Sequence, residues 1–341
     1  MSIIKKIEDF CLVGRGGANF PTHVKWQAVK KKSSQKKYLV INGAEGEPGV
    51  FKDGFIIKNF LKEFSGGVKI ASDFIKAEKI YFYLNSKYFQ AYKKNIIRAF
   101  DSVGLKGKFI LIEKPREAGY IGGEESTILN IIEGNRIEPR LKPPFPTEEG
   151  LFGFPTLINN IETLYNVYLV SENKFKRERF YSINLERKNI GVYCLADNLS
   201  IREVLQKSGN YPKYKFFVQI GGDASGEVLN EKQLGKKVSG AGSITIYNLA
   251  KHKPIELIRY WLSFFVDHTC GQCTPCREGT YRLLELFQNN YVSKKNNSLR
   301  SLEKNKQFLE ICANLTLSSF CALGASAPIA VSSYLKNIYV K

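Results

Sequence analysis

Apolar residues fall along this chain in short runs separated by longer amphipathic stretches. The compact run at 37–42 (KYLVIN) predicts a buried strand, and those at 79–84 (KIYFYL) and 108–112 (KFILI) predict a second and a third strand. Helical spacing predicts a first helix over 3–12, with Ile4, Ile7 and Phe10 on one face. Further helices are predicted over 54–77, broken at Gly66 and Gly67, and over 87–102. Another follows Gly122 and Gly123, with Glu124 and Glu125 near its start, and runs to Ile132. A last one opens at Ile158–Thr163 with Asn159 or Asn160 as its cap. Strands alternating with helices predict an α/β fold with a mainly parallel sheet.

The pattern changes twice. Between 180 and 247, strand-like runs at 190–195, 215–220 and 243–247 alternate with a helix over 200–207 and a glycine turn at 221–226. From Pro254 onward the spacing is helical, with Ile255, Leu257, Ile258, Trp261, Leu262, Phe264 and Phe265 in the first element. Residues 277–287 give a second helix, with Tyr281, Leu284 and Phe287 inward. Stretches 299–315 and 325–338 give two more, and four helices suggest a bundle.

Composition adds bounds. At 341 residues the chain is expected to hold two or three domains; 43% hydrophobic and 13% aromatic residues are too many for disorder. No apolar run approaches the ~18–20 residues that span a bilayer, and no signal-like segment opens the chain, so a soluble, cytosolic protein is expected. The formal charge is +19, from 51 Lys and Arg against 32 Asp and Glu. The lysines are dispersed, and the densest group, between Lys30 and Lys37, reads as a loop. No nucleic-acid-binding module accompanies them, so the charge reads as a solvated face and no nucleic-acid partner is expected.

The candidate chemistry lies in loops. Gly14, Arg15, Gly16 and Gly17 form a glycine-rich loop whose backbone could approach a phosphate, with Arg15 and Lys25 adding charge; an ordinary turn fits equally well. It is no dinucleotide fingerprint, since no strand precedes it. Glu45 and Glu47 follow the first strand, where open α/β sheets bind ligands. Pro139–Pro146 must be a stiff loop, carrying Arg140, Lys142 and Phe145. Cys270, Cys273 and Cys276 are spaced C-x₂-C-x₂-C, so three thiolates can converge on an iron–sulfur cluster or a zinc ion. Cys312 and Cys321 compete for the fourth position. Cys312 has the helical spacing of a core residue, whereas Cys321 sits at a helix break; for zinc, His268 is a further candidate. Cys11 and Cys194 read as core, and His23 and His252 receive no role.

Taken together, the segments Gly14–Trp26, Asn42–Asp53, Gly119–Thr127 and Pro139–Asn160 and the cysteine motif occur in the order of one family. The chain resembles the FMN-binding, NADH-oxidising F subunit of complex I and related diaphorase subunits of NAD-linked hydrogenases and formate dehydrogenases. It departs from the family's usual glycine at Asn19, aspartate at Ala44 and aromatic residue at Ala28. The resemblance implies a Rossmann-like FMN domain over 1–178, a β-grasp insert (SLBB, ubiquitin-like) over 179–248, and a C-terminal helical bundle over 249–341 that carries a [4Fe–4S] cluster.

It implies, further, that Gly14, Arg15, Gly16, Lys25, Asn42, Tyr120, Gly123, Glu124, Ile158, Asn159 and Asn160 surround FMN. Phe20, Glu47, Glu125, Lys142 and Phe145 would meet NADH, with Glu47 and Glu125 in positioning roles. Cys270, Cys273, Cys276 and Cys321 would ligate the cluster. The implied activity is hydride transfer from NADH to FMN, then single electrons to the cluster. The implied partners are a thioredoxin-like [2Fe–2S] subunit and a multi-cluster iron–sulfur subunit. The chain would be cytoplasmic, or peripheral on the inner face of the cell membrane through that complex. Two alternatives stay open: an Rnf-like flavin and cluster subunit, disfavoured by the absence of paired ferredoxin motifs, and a non-catalytic subunit that keeps the fold.

Overall fold

The computed structural model describes residues 1–288, 299–302 and 304–339. The chain divides into two compact units, one of Met1–Gly46, Phe51–Phe180 and Cys194–Asp197, the other of Glu47–Val50, Tyr181–Tyr193 and Asn198–Lys341.

In the first unit, β1 (Tyr38–Gly43), β2 (Lys79–Leu84), β3 (Phe109–Glu113) and β4 (Thr156–Asn160) form a parallel sheet in the order β3-β2-β1-β4. Helices α1 (Ile3–Asp9), α2 (Thr22–Lys31), α3 (Lys52–Asn59), α4 (Leu61–Ile75), α5 (Ser86–Ser102), α6 (Glu125–Ile132) and α7 (Ile161–Ser171) accompany it. β1 and β2 are covered on both faces and read as continuous apolar runs; the edge strand β3 leaves Ile110 exposed. Tyr38 and Val40 pack with Ile128 and Leu129 of α6. The alternate residues Leu39 and Ile41 are also fully buried, and Phe82 of β2 makes ring contacts with Phe64 of α4 and Phe100 of α5.

The strand order places β2 and β3 on one side of β1 and β4 on the other. Chain direction across the sheet therefore reverses at β1, and the crevice at the carboxyl ends of β1 and β4 is a topological switch point, the usual ligand position of open α/β sheets. Asn42 and Asn160 stand opposite each other there in register.

Several expected elements change. The break expected at Gly66 and Gly67 lies at Phe60 instead, and α4 runs straight through the glycines. A Cβ on Gly67 would lie 1.8 Å from the Leu164 carbonyl oxygen, and one on Gly66 2.4 Å from the Tyr168 ring. These glycines let α7 press against α4; they do not end the helix. The segment before Asn160, read as a helix start, is strand β4, and α7 begins at Ile161 with the Asn160 side chain accepting from the Glu162 N–H. Helix α2 was not expected.

The second unit centres on a five-stranded sheet of β5 (Glu178–Leu185), β6 (Lys188–Ala196), β7 (Phe216–Ile220), β8 (Glu227–Asn230) and β9 (Ser243–Asn248), in the order β6-β5-β9-β7-β8. β5 runs parallel to β9, and β7 is antiparallel to both β8 and β9. Helix α8 (Ile201–Lys207) carries a reciprocal cap between Ser200 and Glu203. β5 escaped the sequence pattern because it buries Ser182 and Asn184 among its apolar residues.

The helices that follow are α9 (Pro254–His268), α10 (Thr274–Gln288), α11 (Leu299–Leu302), α12 (Lys306–Ser318), α13 (Ala322–Ser326) and α14 (Ile329–Tyr334). Glu303, within the helix expected over 299–315, lies outside the described residues. The helix expected over 325–338 is divided at Ala327 and Pro328, where proline cannot donate to the preceding turn. Tyr281, expected inward, is exposed: residues 281, 284 and 287 repeat every three positions and drift around the helix, so Leu283, Leu284 and Phe287 form the buried face. Cys11 and Cys194, expected in the core, are also exposed. α1 ends at Asp9, so Cys11 lies beyond it in a left-handed turn, and Cys194 lies on the edge strand β6. Among the described residues no helix is long and apolar enough to cross a membrane.

Candidate functional site

The switch point gathers most of the expected flavin residues of the first unit. The loop from Gly14 closes on itself, the Gly14 N–H donating to the Phe20 carbonyl (2.8 Å). Gly17 has φ +114° and Asn19 φ +53°, so asparagine adopts the left-handed conformation that glycine would otherwise supply. Arg15 donates its N–H to Thr163 Oγ1 (2.9 Å), which fixes the loop on the first turn of α7. Gly16 brings the same loop to Asn160, where an added Cβ would lie 3.4 Å from the Asn160 Cβ. The Arg15 side chain is buried, with Nη2 paired to Asp197 at 2.7 Å. Its Nε is buried with no hydrogen-bond partner among the described residues. A glycine loop, a helix N-terminus and a buried guanidinium with an unused donor suit the anionic tail of a flavin nucleotide.

Across the crevice, Asn42 at the end of β1 donates to the Gly123 carbonyl (3.0 Å) and accepts from the Ala44 N–H (3.1 Å). Asn159 accepts from the buried Trp26 indole at 2.8 Å, and Ile158 lies in the core beneath. Glu124 is the N-cap of α6: its Oε2 accepts from the N–H groups of Ser126 and Thr127, each at 2.8 Å. Tyr120 lies in the turn that leads into this cap.

Glu125, Lys25 and Lys142 form an ion group, with Glu125 2.9 Å from Lys25 and 3.1 Å from Lys142, and Lys142 2.9 Å from Glu124. Burial raises the Glu125 carboxyl pKa, but the two lysines outweigh it and hold it below the ordinary carboxylate range. Phe145 and Phe20 are half-exposed rings of this unit, open to stack on a planar ligand. Arg140, in the same proline loop, bonds Asn130 (2.8 Å), Glu133 (2.6 Å) and the Gly150 carbonyl (3.1 Å), and so anchors the loop. Glu47 belongs to the second unit, where its Oε1 accepts from the N–H groups of Ala224 and Ser225 and from the Ser225 hydroxyl.

Beneath the switch point lies a charged network in which Lys52, Asp53 and Glu162 received no role from the sequence. Lys52, 2% exposed, pairs with Asp53 (2.7 Å), Glu162 (3.3 Å) and the Asn160 side-chain oxygen (2.9 Å). Asn160 in turn donates to Asp53 at 2.8 Å. Glu45 accepts from the Asp53 N–H (2.8 Å) and the Tyr88 hydroxyl (2.6 Å). Burial and the neighbouring Asp53 push its carboxyl up to about 7, against the pull of Lys52 and Tyr88. A lysine next to an aspartate at the start of an apolar helix was the available signal. The network locks Asn160, which links β4, α7 and the crevice.

In the second unit, Cys273 and Cys276 are buried where α10 begins, and Cys321 immediately precedes α13. Burial pushes the Cys276 thiol up to about 11; Cys273, Cys321 and Cys270 push the same way, against the Thr269 hydroxyl 3.2 Å from its Sγ. The four cysteines are thus electrostatic neighbours. Gly324 permits the approach, since its Cβ would lie 2.9 Å from the Cys276 Cβ. Arg277 braces the loop through the Gly271 carbonyl at 2.8 Å. Cys312 is turned away and meets Ser332, and the His268 ring lies against Phe264. Among the described residues no three His, Cys, Asp or Glu side chains close on a point that a single ion could fill. A cluster that takes each thiolate on a different iron reconciles this with the mutual influence of the four thiols. At the start of a helix, thiolates are also favoured by the aligned peptide dipoles.

A parallel sheet with a crevice at its switch point, and four cysteines that influence one another in the second unit, fit a flavin and iron–sulfur electron carrier. Residues 7–169 match the family described as the Nuo51 FMN-binding domain, and residues 256–339 match the iron–sulfur binding region of NADH-ubiquinone oxidoreductase F. The chain is 31% identical to the F 2 subunit of the NADH-quinone oxidoreductase of Rhizobium meliloti, over 98% of this chain and 86% of that protein. It is 32% identical to the F subunit of the NADH-quinone oxidoreductase of Aquifex aeolicus, over 95% of this chain and 81% of the relative. The alpha subunit of the NAD-reducing hydrogenase HoxS of Cupriavidus necator is 31% identical; this chain spans 59% of it. The crystal structure of an NAD+-reducing [NiFe]-hydrogenase in the H2-reduced state superposes with a TM-score of 0.86 at 25% identity, covering 98% of this chain and 61% of that one. The chain belongs to the family of NADH-quinone oxidoreductase F subunits.

Proposed function

We propose that this chain is the electron-input subunit of a larger assembly, oxidising NADH at an FMN held in the switch-point crevice and exporting the electrons singly through a [4Fe–4S] centre. The observation that carries this reading is the crevice itself: the Gly14–Gly17 loop, the buried Arg15 with its unused donor, and Asn42 facing Asn160 across the strand reversal. When bound, FMN accepts two electrons together and gives them up one at a time, and the cluster takes them singly.

The chain's own residues position and charge-balance these groups. Arg15 and the glycine loop hold the anionic end of FMN, with Lys25 a second cation on that side. Asn42, Asn160 and the turn of Tyr120 and Gly123 border the ring, and Glu124 fixes that turn as a cap. Lys142 and Glu125 hold donors and acceptors ready for the dinucleotide, and Phe20 and Phe145 stack on its adenine. Cys270, Cys273, Cys276 and Cys321 ligate the cluster. The mutual influence of the four thiols and the position of Cys321 just before α13 support this set over one that includes Cys312.

The five-stranded mixed sheet with α8 supports reading 179–248 as a β-grasp (SLBB) insert, and the helices that follow support a bundle over 249–341. The division at Phe180 supports an FMN domain over 1–178. The acceptors are a thioredoxin-like [2Fe–2S] subunit and a multi-cluster subunit of a complex I-type or hydrogenase-type assembly on the cytoplasmic side. The test is reconstitution with FMN, iron and sulfide under anaerobic conditions, followed by NADH. Bleaching of the flavin and cluster absorbance supports the reading. Binding of metal without FMN overturns it in favour of a non-catalytic subunit.

A further inference from the structure

Lys114 follows β3 at the carboxyl edge of the parallel sheet, its N–H bonded to the Leu84 carbonyl at 2.8 Å. Its side chain is 8% exposed. Two glycines make room for it: a Cβ on Gly46 would lie 3.1 Å from the Lys114 Nζ, and one on Gly122 3.3 Å from its Cε. Gly46 belongs to the loop after β1, and Gly122 to the turn that carries Tyr120 and Gly123. The ammonium therefore lies between two loops that border the crevice. Lys25, Lys52 and Lys142 each meet at least one carboxylate. Among the described residues no carboxylate pairs with Lys114, and burial alone acts on its ammonium, pushed down to about 8. A buried ammonium without a counter-charge is costly. Ala44, which follows β1 at the same edge of the sheet, supplies no acid.

We propose that the Lys114 ammonium meets the flavin ring in the crevice and stabilises the negative charge the ring gains on reduction. The inference rests on the FMN reading of that crevice. Hydride transfer adds two electrons and one proton to the flavin, at N5, and leaves a net negative charge spread over N1 and the C2 carbonyl. Lys114 keeps its proton throughout and supplies the opposite charge. A cation so placed raises the flavin's reduction potential, because it binds the reduced ring more strongly than the oxidised one. A phosphate contact would behave differently, since phosphate carries the same charge in both redox states.

The test compares the FMN-loaded chain with Lys114→Met, which keeps the length and removes the charge, and Lys114→Arg, which keeps the charge. Affinities for oxidised and reduced FMN are measured alongside the midpoint potential by spectroelectrochemistry. In Lys114→Met the preference for reduced over oxidised flavin should fall about tenfold, which lowers a two-electron midpoint by about 30 mV, while Lys114→Arg stays near the parent value. If Lys114→Met does not fold, Lys114→Gln takes its place. An unchanged potential overturns the proposal, and so does an equal loss of both affinities, which would assign Lys114 to a phosphate. Failure of the parent chain to bind FMN overturns both this proposal and the FMN reading; loss of the redox preference alone overturns only this one.

Discussion

Lys52 is an ammonium enclosed by Asp53, Glu162 and Asn160, with Glu45 close enough to add to its charge balance. Burial pulls its pKa down, but the carboxylates outweigh burial and hold it above the ordinary value. Removing one member leaves the others charged and unpaired. Lys52→Met should therefore cost about 3–5 kcal/mol, measured as the loss in denaturant unfolding free energy; an unchanged midpoint would mean the network is not charged as drawn. Glu45 makes a prediction of opposite character. Its folded pKa is raised from an ordinary 4.5 to about 7, so the folded chain holds this proton more tightly than the unfolded chain. Its contribution to stability is complete below about pH 4.5 and is lost as pH rises towards 7. Glu45→Gln should flatten that segment of a melting-temperature profile, and a profile parallel to the parent's would refute the assignment. At this scale the ligand loops were legible because glycine, proline and cysteine restrict the backbone or the chemistry on their own. The Lys52 network was not, because Asn160 and Glu162 lie far along the chain from Glu45, Lys52 and Asp53 and meet them only when β1, β4 and α7 come together.

Helix α4 shows what an element owes to its neighbours. By local propensity Gly66 and Gly67 are breakers, and alanine there would gain up to about 1 kcal/mol in an isolated helix. Against α7 the sign reverses, because a Cβ on Gly67 would overlap the Leu164 carbonyl. Gly67→Ala should destabilise the chain by about 3 kcal/mol or more in chemical denaturation, whereas Gly235→Ala, with no atom near its added Cβ, should be close to neutral. Equal effects at the two positions would contradict the close packing of α4 on α7. The apolar runs showed β1, β2 and β3 of the parallel sheet, the first two because both of their faces are covered. β4 and β5 were hidden for the complementary reason, carrying Asn159, Asn160, Ser182 and Asn184 inside strands whose polar groups find partners only after folding.

At the scale of the whole molecule, one chain joins two cofactors. The cysteine set is separable by substitution. Cys321→Ser should lower the iron and sulfide retained after anaerobic reconstitution, while Cys312→Ser, whose thiol meets Ser332 instead, should retain both; equal retention would remove Cys321 from the ligand set. The order of motifs along the chain was enough to suggest both cofactors, because each loop lies at a helix start or strand end that the sequence marks with glycine, proline or cysteine. The departures at Ala28 and Ala44 bear on the nucleotide, so the decisive measurement addresses it. Anaerobic titration of the chain loaded with FMN and cluster, first with NADH and then with NADPH, follows the absorbance of both groups. NADH should bleach the flavin and the cluster together. If both groups are bound and neither nucleotide reduces the flavin, the chain is not an NADH-oxidising subunit.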